Sequence, residues 1–252
     1  MLTQQRKEHI LEILRKEGQV VAKNLAAELD LSEDTIRRDL RELAKEGLLR
    51  RVHGGAMPIA PAEADFNRRQ TISTDGKREI GKTAAELIQP GQIVILDGGT
   101  TAVQLARHLP PNLQATIVTH SPSVAVELAN HATVEVILIG GRLFKHSVVT
   151  MGTAALEALK HIRADVYFMG VTGVHPEEGL STGDLEEAMM KKALSERAAE
   201  TIVLASSEKI GVVSPFVIVP IDNVSGLVVE SETAESEIQP FQSLGLSIFR
   251  SA

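Results

Sequence analysis

From Ile93 to Val229, short runs rich in Val and Ile alternate with stretches of helical periodicity, and few architectures accept that alternation. The runs are Ile93 to Leu96, Thr116 to Val118, Val134 to Ile139, Val166 to Val171, Ile202 to Leu204, Phe216 to Val219 and Leu227 to Val229. Within them apolar residues follow one another without the in-out rhythm of a half-exposed sheet. Strands of that kind are buried on both faces, which predicts a mostly parallel sheet covered by helices on each side. An α/β domain over residues 77–252 is the expected result.

The beginning of the chain follows a different period. Ile10, Ile13 and Leu14 lie at helical spacing and predict a helix that opens near Thr3 and stops at Gly18. Leu25 and Leu29 mark a second helix from about Ala22, broken at Asp30-Leu31. Ser32 caps a third, with Glu33 and Asp34 in the first turn, where acids suit the helix dipole, an inner face of Ile36, Leu40 and Leu43, and Gly47 at its end. Leu48 to Ala56, turning at Gly54-Gly55, has the pattern of a small β-wing. Residues 1–56 are therefore expected to form a winged helix-turn-helix. Residues 57–76, with Pro58, Pro61 and small polar groups, have linker composition and one packed anchor at Phe66.

Charge is divided accordingly. The chain carries a formal −7, yet residues 1–56 hold 11 Lys and Arg against 10 Asp and Glu, so the acidity belongs to the remainder. With no cysteine, disulfides, thiolate metal sites and thiol nucleophiles are excluded. No apolar stretch approaches the roughly 18 residues of a membrane span, and Met1 to Lys7 lacks the apolar core of a signal peptide, so the protein is expected to stay in the cytoplasm.

On the third helix Asp34, Arg38, Arg41 and Lys45 fall opposite the apolar face, flanked by Thr35 and Arg37. The first turns of a recognition helix approach base edges, which makes Ser32, Thr35, Arg37 and Arg38 the candidates for base readout. Arg41, Lys45, Arg50 and Arg51 suit phosphates, while His53, Gly54 and Gly55 bring the wing backbone near the duplex. In the second domain Asp97, Gly98, Gly99, Thr100 and Thr101 stand after a buried strand and before a helix. Glycines there let backbone amides approach an anion, and the helix start attracts it. Further polar loops follow other strands at Thr119-His120-Ser121, at Gly140-Gly141 and at Ser206 to Gly211, where Lys209 can balance a phosphate charge.

Together these residues resemble a known family. Ser32-Glu33-Asp34-Thr35-Ile36-Arg37-Arg38-Asp39-Leu40, followed by Glu46 through Ala56 with its His53-Gly54-Gly55-Ala56, is similar to the DNA-binding signature of the DeoR family of bacterial sugar-metabolism repressors. The order of Lys77 to Ile80, Asp97 to Thr101, Thr119 to Ser121, Ile139 to Gly141, Phe168 to Gly170 and Lys209 to Gly211 resembles the effector domain of the same family. The resemblance implies a sheet domain like ribose-5-phosphate isomerase and the coenzyme A transferases, operator DNA as partner, and a phosphorylated sugar or sugar acid as effector. It makes Asp97 to Thr101 and Lys209 the effector contacts, helped by Thr119, His120, Ser121, Gly140 and Gly141. Two departures stand out: His120 where many members have Asn, and Ser206-Ser207-Glu208-Lys209 where they have Asp-Ser-Ser-Lys.

A repressor without cofactor, metal or catalytic residues is the expectation, acting as a homodimer or homotetramer on repeated half-sites. The alternative is a sugar-phosphate isomerase-like enzyme with a DNA-binding extension. Against it, the chain lacks the Asp-Gly-Ala-Asp-Glu stretch that marks the isomerase, and a shared fold does not carry activity with it.

Overall fold

The computed structural model describes residues 3–17, 19–46, 48–52, 54–57 and 64–251. They divide into two compact units, Met1–Ala64 and Asp65–Ala252. The first contains α1 (Thr3–Glu17), β1 (Val20–Val21), α2 (Ala22–Glu28), α3 (Glu33–Lys45), β2 (Arg50–Val52) and β3 (Gly55–Met57). Ile10 and Leu14 of α1, Leu25 of α2, and Ile36, Leu40 and Leu43 of α3 close on one another in a single core with Val20, Leu49 and Ala56. The tight turn before α3 passes through Asp30 at φ 53°, a left-handed conformation that Asp tolerates better than most residues. Ser32 then caps α3, its Oγ accepting from the Thr35 amide at 3.2 Å.

The wing is larger than the expected hairpin. Val20–Val21 adds a third antiparallel strand, in the order β1-β3-β2, with Val20 opposite Ala56 and Val21 opposite Gly55. That pairing accounts for Gly55, because a Cβ there would fall 1.9 Å from the Val20 carbonyl oxygen. Gly18, Gly47 and His53, given roles from the sequence, lie outside the described residues.

The second unit opens with α4 (Phe66–Arg69) and α5 (Thr74–Glu86), so Asp65 to Gly76, expected as linker, is built structure. Two features order it. The Asp65 carboxylate accepts from the Arg68 amide at 3.0 Å, and Phe66 is buried while its amide donates to the His146 carbonyl at 2.8 Å.

The chain continues as β4 (Ile93–Leu96), α6 (Thr100–Arg107), β5 (Thr116–Thr119), α7 (Pro122–Leu128), β6 (Glu135–Leu138), the hairpin β7 (Arg142–Phe144) and β8 (Val149–Met151), and α8 (Thr153–Leu159). Then come β9 (Ala164–Gly170), β10 (Gly173–His175), β11 (Gly179–Thr182), α9 (Leu185–Ser195), β12 (Ala198–Ala205), a 3₁₀ turn at Ser207–Lys209, β13 (Phe216–Val219), β14 (Gly226–Val229), α10 (Glu235–Ser243) and β15 (Ser247–Arg250).

Seven strands form one parallel sheet in the order β15-β14-β12-β9-β4-β5-β6. The inner strands are buried on both faces, as the unbroken apolar runs require, but the edge strand β6, from a run expected to be buried too, is largely exposed, with Ile137 and Leu138 at the surface. Val94, Leu96, Ile117, Phe168 and Leu204 pack with α5, α6 and α7, while Ile95, Val118, Tyr167, Met169 and Val203 pack with α8, α9 and α10. A second run departs from expectation. Phe216–Val219 leaves the main sheet and pairs antiparallel with β11 in a separate sheet ordered β10-β11-β13, with Val217 exposed and Ile218 buried. A four-residue apolar run has no periodicity long enough to tell these placements apart. Among the described residues no helix is long and apolar enough to cross a membrane.

Candidate functional site

The outer face of α3 is cationic by construction. Ile36, Leu40 and Leu43 hold the helix to the core, which turns Arg37, Arg38, Arg41 and Lys45 to solvent. Arg37 is tied back to Glu33 at 2.8 Å and Arg41 reaches the Arg37 carbonyl at 3.3 Å. Arg38 is exposed without an ion-pair partner among the described residues. Arg50 and Arg51 are exposed on β2, and Gly54 is exposed at the wing turn. Ser32 and Thr35 share a hydroxyl contact of 2.9 Å at the start of the helix, where base edges are reached in recognition helices. Gly55 is buried beneath β1, so its role is packing within the wing rather than contact with a duplex.

Beneath this face lies a pair that the sequence does not advertise. Asp39 is buried and its carboxylate accepts from the Arg6 guanidinium, Nη2 to Oδ1 at 3.1 Å with a second, shorter contact from Nε to Oδ2. The fork joins α1 to α3.

In the second unit, β4 is the strand where the sheet changes direction: β5 and β6 extend one way and β9, β12, β14 and β15 the other. Open parallel sheets bind ligands beyond the carboxyl ends of the strands at such a switch point. Asp97, one residue past β4, sits in it with no exposed surface. One carboxylate oxygen accepts from the Gly98 amide at 2.7 Å and from His120 Nε2 at 2.8 Å. The other accepts from the Gly170 amide at 2.8 Å and from Lys191 Nζ at 2.5 Å. Burial disfavours the charge, but Lys191 and His120 override it and hold this carboxyl well below the usual carboxylate range.

Cations gather around the same point. Lys191 is buried on α9, one turn after Glu187, whose carboxylate accepts from Thr182 Oγ1 at 2.7 Å. Lys77 is buried and donates to the Arg69 and Ile72 carbonyls at 2.9 and 2.6 Å. Lys209 is 7% exposed, and its ammonium has one contact among the described residues, the Leu204 carbonyl at 3.5 Å. Burial pushes its pKa down to about 8, with Glu208 opposing the shift and Lys77, Arg69 and Lys191 adding to it. Burial also lowers Arg69 and Lys77. Beside them begins α6, capped by Gly99 at φ 104°, a conformation that favours glycine and leaves no side chain over the first amides.

The sequence-expected residues thus fall into two groups. Gly99, Thr100 and Thr101 form the start of α6, where Thr100 lines a cavity with Lys77; Lys209 belongs to the cation cluster, and Gly140 and Gly141 are exposed after β6. Asp97 and His120 were expected as contacts, but both are sealed: His120 Nδ1 faces the Thr150 carbonyl at 3.0 Å and Nε2 faces Asp97, so neither nitrogen is left for a ligand. Thr119 accepts from the Ser121 amide and Ser121 caps α7, which makes them frame residues too. Arg69, Glu187 and Lys191 were missed, and Lys77 carried no assigned role.

A winged recognition unit ahead of a parallel-sheet unit with a cationic switch point defines a two-domain transcriptional regulator. Residues 6–61 match the DeoR-like helix-turn-helix domain and residues 72–231 the DeoR C terminal sensor domain, and the chain belongs to the DeoR family. The HTH-type transcriptional regulator GlpR of Haloferax volcanii is 36% identical over 84% of this chain and 83% of its own. GolR of Listeria innocua, also an HTH-type transcriptional regulator, is 31% identical over 97% of both chains. The glycerol-3-phosphate regulon repressor of Escherichia coli K12 is 31% identical over 82% of each. Among solved structures, ribose 5-phosphate isomerase a from Methanocaldococcus jannaschii aligns with 57% of this chain and 55% of its own at 19% identity and a TM-score of 0.39.

Proposed function

We propose that the chain represses carbohydrate-metabolism genes by holding operator DNA with α3 and the wing, and that a phosphorylated sugar or sugar acid at the sheet's switch point alters that grip. The observation carrying this reading is Lys209, an ammonium almost wholly withdrawn from water whose one hydrogen bond among the described residues is to a carbonyl at 3.5 Å, and on which one acid, Glu208, and three cations, Lys77, Arg69 and Lys191, act. A buried cation so poorly paired is costly unless an anion completes it. Lys209, Gly99, Thr100, Thr101, Gly140 and Gly141 are the proposed anion contacts, with Asp97, Gly98, whose amide is spent on the Asp97 carboxylate, Thr119, His120 and Ser121 positioning them. Family members of these names regulate transcription, and the protein is proposed to do so in the cytoplasm as a homodimer or homotetramer.

A switch fits better than an enzyme. The strongest candidate base, Asp97, and its neighbour His120 are spent on each other, on Lys191 and on backbone groups, so neither faces the cleft. The finer reading of the DNA face gives Arg38 to base edges and Arg41, Lys45, Arg50 and Arg51 to phosphates, with Ser32, Thr35 and Arg37 at the helix start.

The test of the effector reading is calorimetric titration of the full chain with phosphorylated sugars and sugar acids. A compound at 100 times its Kd stabilises the folded state by about 2.7 kcal/mol and should raise the melting temperature by several degrees. Lys209→Gln should lose tenfold or more in affinity, and equal binding by that variant sinks the reading. The pH dependence has a definite sign. Phosphate monoesters are already dianions above pH 7, while Lys209 discharges near pH 8, so affinity should fall as pH rises from 7 to 9. Without ligand the trend reverses: the unfolded chain holds the Lys209 proton up to about pH 10, so this group adds stability as pH rises through 8. A flat affinity profile across that window excludes Lys209 as the charge partner.

For the DNA face, Arg38→Ala should weaken binding to the operator by about 1–3 kcal/mol while leaving the melting temperature unchanged, since Arg38 is exposed. Gel-shift titrations on promoter fragments, at fixed salt, provide the measurement. Unaltered binding would move the recognition surface elsewhere.

A further inference from the structure

The segment that opens the sheet unit turns one face toward the proposed anion site. Phe66, Gln70, Thr74 and Lys77 recur at helical spacing and line a cavity of about 260 Å³ against Thr100 and Gln104 of α6. On the same side Ser73, held at φ 46°, donates its hydroxyl to Glu208 at 3.1 Å, next to Lys209. Lys77 binds the end of α4 to the start of α5 through the Arg69 and Ile72 carbonyls. This strap begins at Asp65, directly after the last residue of the first unit.

Arg69 is its most costly member. Its Nε is wholly buried and has no acceptor among the described residues, and its Nη2 reaches Ser147 Oγ at 3.4 Å. Its acidic neighbours Asp97 and Glu187 are engaged elsewhere, by Lys191, His120 and Thr182. The charges of Arg69 and Lys209 repel each other, and an oxyanion bound by both would convert that repulsion to attraction. A guanidinium presents its N–H groups as a planar fork that fits phosphate oxygens, whereas a carbonyl-bound ammonium such as Lys77 has few donors left.

Building on the anion-site reading, we infer that Arg69 is a direct ligand of the bound anion, and that through it the strap from Asp65 to Lys77 is ordered when the site fills. Occupancy of the sheet unit would then be felt by the backbone five residues beyond the boundary of the recognition unit. The strap is both the closing wall of the effector site and the first element to report its occupancy.

The experiment uses the full chain and inorganic phosphate as probe. Phosphate affinity is measured by calorimetry, and amide hydrogen exchange is followed over residues 65–77 with and without phosphate. Wild-type protein should bind phosphate and slow exchange in that segment. Arg69→Gln should bind tenfold or more weakly and lose the protection, with Arg69→Lys between the two. In the absence of phosphate Arg69→Gln should melt at or above the wild-type temperature, because the variant removes a half-buried cation whose Nε is buried without an acceptor among the described residues; a clear fall would mark a purely structural role and overturn the inference. Phosphate binding by Arg69→Gln at wild-type strength, or protection confined to residues outside 65–77, would overturn it while leaving the Lys209 reading standing. Absence of phosphate binding by wild type, with Lys209→Gln indistinguishable from it, would remove the anion site and this inference together.

Discussion

Lys191→Met should be the most damaging single substitution in the sheet unit, destabilising it by about 3–5 kcal/mol. Removal of one partner from a buried ion pair leaves the other uncompensated, and Asp97 has no exposed surface through which water could replace the lost ammonium. The two backbone amides and His120 that remain do not neutralise the carboxylate, so the variant must either protonate Asp97 or open the switch point. For a unit of this size each kcal/mol shifts the melting temperature by about 2–4 °C, so a calorimetric scan should show a fall on the order of 10 °C. The double variant Asp97→Asn with Lys191→Met should recover part of that loss, because the Asp97 charge is gone and only Glu187, 3.9 Å from the Lys191 ammonium in the parent protein, loses a partner. A fall of only a degree or two for Lys191→Met would show that water reaches Asp97. The same carboxyl predicts an acid limit: its pKa is held below the ordinary value, so its stabilising contribution is complete above about pH 4 and disappears as pH falls below that.

The central sheet was legible because burial on both faces leaves a strong mark, the unbroken apolar runs in β4, β9, β12 and β14. The smaller sheets were not. β7, β10 and β11 are three or four residues long and mix glycine, polar and apolar groups, so no period develops. The glycine-threonine loop after β4 was recognisable from its position between strand and helix, but the partner that sets its electrostatics lies 94 residues away on α9. In the sequence Met189-Met190-Lys191-Lys192 looks like an ordinary solvated turn. A signal existed in the spacing: Glu187, Ala188, Lys191 and Leu194 share one buried helical face, and two opposite charges on an apolar face four residues apart indicate a paired, withdrawn site. Lys77 stood in the family pattern without a role of its own, and Arg69 was missed for a different reason. Pro58, Pro61 and the small residues after them gave residues 57–76 the composition of a linker, and that composition concealed a short helix whose order comes from tertiary contacts to His146 and Ser147.

Asp39→Ala should abolish operator binding without removing any group that faces the DNA. Asp39 stands within the recognition helix between Arg38 and Leu40, yet it is buried and clasps Arg6 of α1. Its loss strands the Arg6 guanidinium, 7% exposed, against the hydrophobic core of a unit of some 60 residues. The cost should be about 3 kcal/mol, at the lower end for buried pairs because Arg6 keeps 7% exposure through which water can reach it. A domain of this size has roughly 3–9 kcal/mol of stability in total, so the substitution approaches or exceeds what holds α3 in place. The distinction from a contact mutation is measurable: Arg38→Ala should leave helical circular dichroism unchanged, whereas Asp39→Ala should lose the signal of the recognition unit at a temperature where the sheet unit remains folded. Pairing Arg6→Met with Asp39→Leu should restore the dichroism by replacing two charges with apolar groups of similar volume, and operator binding should return with it. If Asp39→Ala kept full helicity and still failed to bind, Asp39 would be acting on the DNA and not on α1, and α3 would have to meet the duplex with a different face.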